Sequence, residues 1–260
     1  MPSLRLVRAL GGLTGLCCLL SACSTPTSAP TKTAAPPHRG VVTVVALGDS
    51  VPRGTNCSCT PYPELSADGL ASASGQGATT DNDSVAGATT ATVLEQLESD
   101  DTVIADLHAA DVVEVEIGAN DVGYSTSCGT TASCYASRVP AMRSRLRQIV
   151  DVARSLAPRK AVVVLLDYWS VWLGGKYADA KGEAYVDAAA RVTDQVDDAI
   201  RSTAAESGSD YVDLRAAFKG PDYSYDETHY LSNDGDHPNA AGHQKIAVAT
   251  DAVIGNAVHA

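Results

Sequence analysis

Residues 41–50 read VVTVVALGDS. The first seven are apolar or β-branched without a break, and the run then meets Gly48, Asp49 and Ser50. A short continuous run of this kind is a strand buried on both faces, as in a parallel sheet. Working outward, 161–166 (AVVVLL) is a second continuous run, and 211–214 (YVDL) is a shorter one. In 111–117 (DVVEVEI), Val113, Val115 and Ile117 fall on one face and Glu114 and Glu116 on the other. That alternation places the strand near an edge or a polar cleft. Helical patterns lie between and after these strands, at 90–98, 140–156, 179–205 and 240–258, the last broken by Gly242 and Gly255. In 140–156, Met142, Leu146, Ile149, Val150, Ala153 and Leu156 recur at helical spacing, with Pro140 in the first turn and Pro158 closing the segment. Strands alternating with helices predict an α/β fold, a single three-layer α/β/α domain over 41–260 with a central parallel sheet.

The composition fits that expectation. The chain has 260 residues, 45% of them hydrophobic, and a formal net charge of -12. The acidity excludes nucleic acid as a partner, because phosphate binding needs clustered Lys and Arg. Upstream, Arg5 and Arg8 precede an apolar run at 9–22, too short to span a bilayer. Residues 1–22 therefore read as a secretory signal peptide. Its end, Leu20-Ser21-Ala22-Cys23, resembles a bacterial lipobox, which implies acylation of Cys23 and a membrane partner reached through that lipid. Residues 23–40 are rich in Ser, Thr, Pro and Ala, which cannot build a core, and are expected to form a tether. The expected product is an extracytoplasmic lipoprotein, at the bacterial cell surface or secreted, acting as a monomer.

Of the seven Cys, Cys17 and Cys18 leave with the signal and Cys23 takes the lipid. Cys57, Cys59, Cys128 and Cys134 are disulfide candidates with three possible connectivities. Cys128–Cys134 closes an easy loop, Cys57–Cys59 a tight and unusual ring, and cross-pairing clamps the two loops together. The spacing is not that of a zinc ribbon and no His is near in sequence, so neither metal nor cofactor is expected.

In an open parallel sheet, sites form beyond the carboxyl ends of the strands. There the chain places Gly48-Asp49-Ser50, Gly118-Ala119-Asn120-Asp121 and, before the last helix, Asp234-Gly235-Asp236-His237. Each alone is an ordinary turn or cap. Together, and with 84–90 (SVAGATT), they resemble the four sequence blocks of the SGNH (GDSL-type) esterase and lipase family, in the family's order; the first reads GDSV where GDSL is usual. The resemblance implies the flavodoxin-like fold of that family and cleavage of carboxylic esters, with an acyl-ester substrate drawn from lipid, acylated glycan or small molecules. It implies Ser50 as nucleophile, His237 as base, and Asp234 as the carboxylate behind His237, with Asp236 a competing partner. It implies an oxyanion hole from the N–H groups of Ser50 and Gly87 and the side-chain amide of Asn120.

Other hydrolase plans fail on the residues. Ser50 lacks the G-x-S-x-G setting of an α/β-hydrolase, and the order Ser, Asp, His reverses that of a chymotrypsin-like protease. At 81–83 a DND run lacks the later ligands of a calcium loop. A non-catalytic or acyl-transferring envelope lipoprotein that keeps the fold for binding glycan or lipid is the alternative. Tyr168, Trp169 and Trp172, after the 161–166 strand, either line the cleft or pack the core, and the same two readings apply to Tyr223, Tyr225 and Tyr230.

Overall fold

The computed structural model describes residues 40–258. The expected signal peptide, nearly all of the expected tether and Cys23, the expected acylation position, lie outside the described residues. Among those described, no helix is long and apolar enough to cross a membrane.

The chain begins with β1 (Val41–Gly48), α1 (Tyr62–Ser74), β2 (Gly77–Asn82), α2 (Thr90–Ser99), α3 (Asp101–Ala109) and β3 (Val112–Glu116). It continues through α4 (Ala132–Ala136), α5 (Val139–Leu156), β4 (Val162–Leu166), α6 (Gly175–Asp179) and α7 (Glu183–Ser207). β5 (Asp210–Val212), α8 (Leu214–Lys219) and α9 (Ala240–Val258) complete it. The strands form one sheet of order β2-β1-β3-β4-β5, and every neighbouring pair is parallel. That order is flavodoxin-like, and it reverses direction between β1 and β3. α1, α8 and α9 pack together on one face, and α2, α3, α5 and α7 on the other, which gives the three layers expected.

Three differences from the sequence reading have physical causes. β2 (GATTDN) has almost no large apolar residue and lies at the sheet edge, so burial leaves no periodic signature there. β3 is the central strand rather than one near an edge, and Glu114 and Glu116 are wholly buried beneath α1 and α9. Ser66 of α1 donates to Glu114 at 2.7 Å, whereas the Glu116 carboxyl faces the buried Tyr62 hydroxyl of α1. Burial pushes Glu114 up to about 8 and Glu116 well above its ordinary value, which favours the neutral form of both carboxyls on a strand buried along its whole length. The helical pattern at 179–205 is divided: α6 ends at Asp179 with Ala180 as its cap, and Gly182, at φ 92, is the cap from which α7 starts. By contrast, α9 runs on through Gly242, where a Cβ would strike the carbonyl of Tyr230.

Candidate active site

β1 delivers the nucleophile turn. A Cβ on Gly48 would collide with the Glu116 carbonyl on β3, so glycine alone lets the two strand ends close there. Asp49 is buried: one oxygen accepts the Val51 N–H at 3.0 Å and the other the Tyr168 hydroxyl at 2.7 Å. Burial outweighs these bonds and lifts it to about 6. Ser50, half-buried, tops this braced turn, and its carbonyl accepts the Thr55 N–H at 3.0 Å.

Two loops flank Ser50. The β2–α2 loop is tied to β1 by the Val85 N–H, which donates to the Gly48 carbonyl at 3.0 Å. Gly87 on that loop has φ 80, with open space where a Cβ would stand, so its backbone angle rather than crowding favours glycine. Beyond β3, the 3₁₀ turn Ala119–Val122 presents Asn120, whose Nδ2 donates one hydrogen to the Ala88 carbonyl at 2.9 Å and keeps a second. Asp121 accepts both the Thr90 hydroxyl, at 2.6 Å, and the Thr90 N–H, at 2.9 Å. Among the described residues, no acceptor takes the N–H of Ser50 or of Gly87.

The loop before α9 supplies the Asp–His pair. Its neck is closed by the antiparallel bridge of Leu231 with Pro238 and by the Ser232 N–H, which donates to the His237 carbonyl at 2.8 Å. Asp234 Oδ2 lies 2.8 Å from His237 Nδ1, while Oδ1 accepts the N–H groups of Asp236 and His237 at 3.0 and 3.1 Å. Asn56, from the loop after Ser50, donates its amide to Oδ2 at 2.6 Å. Burial opposes ionisation, yet these hydrogen bonds hold Asp234 down to about 2. The partner of His237 is thus Asp234, and Asp236 faces the cavity instead.

Ser50, Asn120 and His237 line one cavity of about 440 Å³ over the β1/β3 switch point, with Asp234 behind His237. Gly87 is on the adjoining loop and is not among the lining residues. Tyr168, Trp169 and Trp172 do both things proposed for them: they are buried in the core and present an edge to the cavity. Trp169 stacks on Phe218 with centroids 4.3 Å apart, and Trp172 Nε1 donates to the Val122 carbonyl at 2.9 Å. Tyr124 and Tyr185 complete the aromatic wall against Trp172. Tyr223 instead donates to Asp213, and Tyr230 packs on Phe218.

The cysteines pair locally, Cys57 with Cys59 and Cys128 with Cys134, not across the two loops. The second bridge closes a loop whose Thr130 lines the cavity, and the Tyr135 hydroxyl in that loop gathers Ser125 and Gly129. Although no His is near in sequence, the fold brings buried His243 within 4.8 Å of both Cys57 and Cys59.

A hydroxyl, an imidazole backed by a carboxylate, and undirected N–H donors at one cavity are the parts needed for acyl transfer through a serine. On a parallel sheet of this order they define a class, the serine ester hydrolases of flavodoxin-like fold. The chain belongs to the GDSL-like lipase/acylhydrolase family, whose model matches residues 46–245. Solved structures share the fold. The lipase Lip_vut3 from a goat rumen metagenome is 17% identical with TM-score 0.62, covering 81% of this chain and 96% of that one. A catalytic mutant of the acetylxylan esterase Axe2 from Geobacillus stearothermophilus is 21% identical with TM-score 0.60, covering 84% and 96%. An extracellular lipase from Streptomyces rimosus is 25% identical with TM-score 0.60, covering 81% and 99%. No curated protein matches the chain in sequence.

Proposed function

We propose that the protein hydrolyses short-chain carboxylic esters, with Ser50, His237 and Asp234 as its triad. The observation that carries this reading is the Asp234–His237 contact of 2.8 Å beside a cavity that Ser50 and Asn120 also line. Asp234 holds Nδ1, leaving Nε2 to take the Ser50 proton as Oγ bonds to the substrate carbonyl carbon. The carbon–oxygen bond to the alcohol then breaks, and His237 returns the proton to that alcohol. Water enters by the reverse sequence, leaving the carboxylic acid and free Ser50. The N–H groups of Ser50 and Gly87 and the second amide hydrogen of Asn120 receive the negative oxygen. A cavity of about 440 Å³ with aromatic walls suits a short acyl group and part of its alcohol, whether a sugar ring or a small leaving group.

The test is a panel of p-nitrophenyl esters of rising chain length, acetylated xylo-oligosaccharides and phospholipids, run on wild type and Ser50→Ala. Short esters are expected to be cleaved, with a loss of at least about 10⁴-fold in Ser50→Ala. Retention of most activity in that variant overturns the mechanism. The lipobox supports an extracytoplasmic enzyme tethered through Cys23; mass spectrometry of the mature N-terminus should find lipid there, and an unmodified terminus elsewhere overturns the anchor.

A further inference from the structure

Four hydrogen bonds converge on Asp234. Three come from its own loop, from Asp236 and His237. The fourth crosses 178 positions of sequence: the Asn56 amide reaches Oδ2, the same oxygen that faces His237 Nδ1. Ser232 Oγ donates back to the Asn56 carbonyl at 3.2 Å, so Asn56 is held at both ends by the acid loop. It is also six positions beyond Ser50, in a turn that folds back on Ser50 through the Thr55 N–H. One side chain therefore joins the nucleophile turn to the acid.

Asn56 makes this contact from a left-handed backbone, φ 60, and Ser58 is left-handed too, at φ 52. The Cys57–Cys59 bridge spans Ser58 with Cα atoms 5.1 Å apart. Behind it is His243, whose Nδ1 accepts the Tyr62 N–H at 3.2 Å. Both sulfurs thus rest against a fixed wall of α1 and α9. The ring holds the backbone that directly follows Asn56, and the Cys57 N–H donates to the Gly54 carbonyl at 3.3 Å, so the left-handed turn at Asn56 is anchored on both sides.

We propose that Asn56 is a positioning residue for Asp234, and that the Cys57–Cys59 bridge sets it, so that hydrolysis responds to dithiol reduction of that bridge. The inference rests on the triad reading above. In the reductive step a dithiol breaks the Cys57–Cys59 bond by exchange. Two protein thiols form, and the dithiol becomes its own cyclic disulfide, giving up two electrons and two protons.

Asn56→Gly separates the amide from the backbone, because glycine keeps the left-handed angle and deletes the donor. On p-nitrophenyl acetate, kcat should fall about 10-fold or more with KM within about twofold, since a charge-assisted bond is lost at the acid and not at the substrate. A merely conformational role predicts that Asn56→Gly matches wild type, and that result overturns the proposal. Cys57→Ser/Cys59→Ser should show a similar loss of kcat, and adding Asn56→Gly to it should cost little more. Cys128→Ser/Cys134→Ser should still respond to dithiothreitol. A Cys57→Ser/Cys59→Ser enzyme at wild-type kcat, or fully additive losses with Asn56→Gly, overturns the brace. Ser50→Ala is assayed alongside. If it stays active the triad reading has failed, whereas if it is inert and Asn56→Gly is unimpaired, only this inference has failed.

Discussion

Asp121 receives both the hydroxyl and the backbone N–H of Thr90, at 2.6 and 2.9 Å. Thr90 opens α2, so this pair locks the loop carrying Gly87 to the turn carrying Asn120. The Asn120 amide adds a further link between the two, to the Ala88 carbonyl at 2.9 Å.

Asp121→Ala should therefore separate Gly87 and Asn120, the two outer donors proposed for the oxyanion, while leaving the Asp234–His237 pair intact. A fall of about 10-fold in kcat is expected, with a matching slowing of Ser50 phosphonylation, because the phosphonyl oxygen uses the same donors. Stopped-flow acylation beside steady-state kinetics checks this. An Asp121→Ala enzyme at wild-type kcat removes the clamp from the account.

Asp234→Asn and Asp236→Asn distinguish two carboxylates two residues apart. The first removes the charge facing His237 Nδ1 and should lower kcat by about 10⁴. The second leaves that contact in place and should cost far less. Equal losses in the two variants contradict the assignment of the acid.

Asn120→Ala deletes the one side-chain donor proposed for the oxyanion and should reduce kcat by about 10²–10³. The same change frees the Ala88 carbonyl. A modest drop in thermal midpoint is expected alongside, measured by calorimetry on the same samples.

Stability should decline as pH rises from 6.5 to 8. Burial holds Glu114 up to about 8, against an ordinary value of 4.5, and pushes Glu116 well up. The folded protein thus keeps protons that the unfolded chain has released, and stability is lost as pH climbs toward the folded value. Each proton retained sets a slope of at most about 1.4 kcal/mol per pH unit. Asp167, raised by burial to about 7, acts in the same sense. Buried His243, lowered to about 4, works oppositely but only below its ordinary 6.5. Urea midpoints across this range should fall in wild type and fall less steeply in Glu114→Gln; a midpoint that rises with pH contradicts the upward shifts.

Much of the candidate site was legible because strand ends concentrate it. Ser50, Asn120 and the Asp234–His237 turn each follow or precede an element whose pattern is plain in the sequence, and the sheet order brings them to one cavity. Gly87 was legible only as a block member, and its place beside the cavity rather than in its lining comes from the fold. The Tyr168–Asp49 bond and the Asp121 clamp were not legible, since Asp and Tyr in turns carry no pattern naming a distant partner.

By itself, the sequence determined the α/β class, the parallel sheet and the residues at its carboxyl ends, because burial imposes a local periodicity that a single chain displays. Only the tertiary structure decided that β3 is central with its two glutamates buried, that the cysteines pair within their loops, and that Asn56 meets Asp234 across 178 positions. Those outcomes depend on which surfaces pack together, and a polar side chain shows its partner only when the packing has brought the two within hydrogen-bond reach.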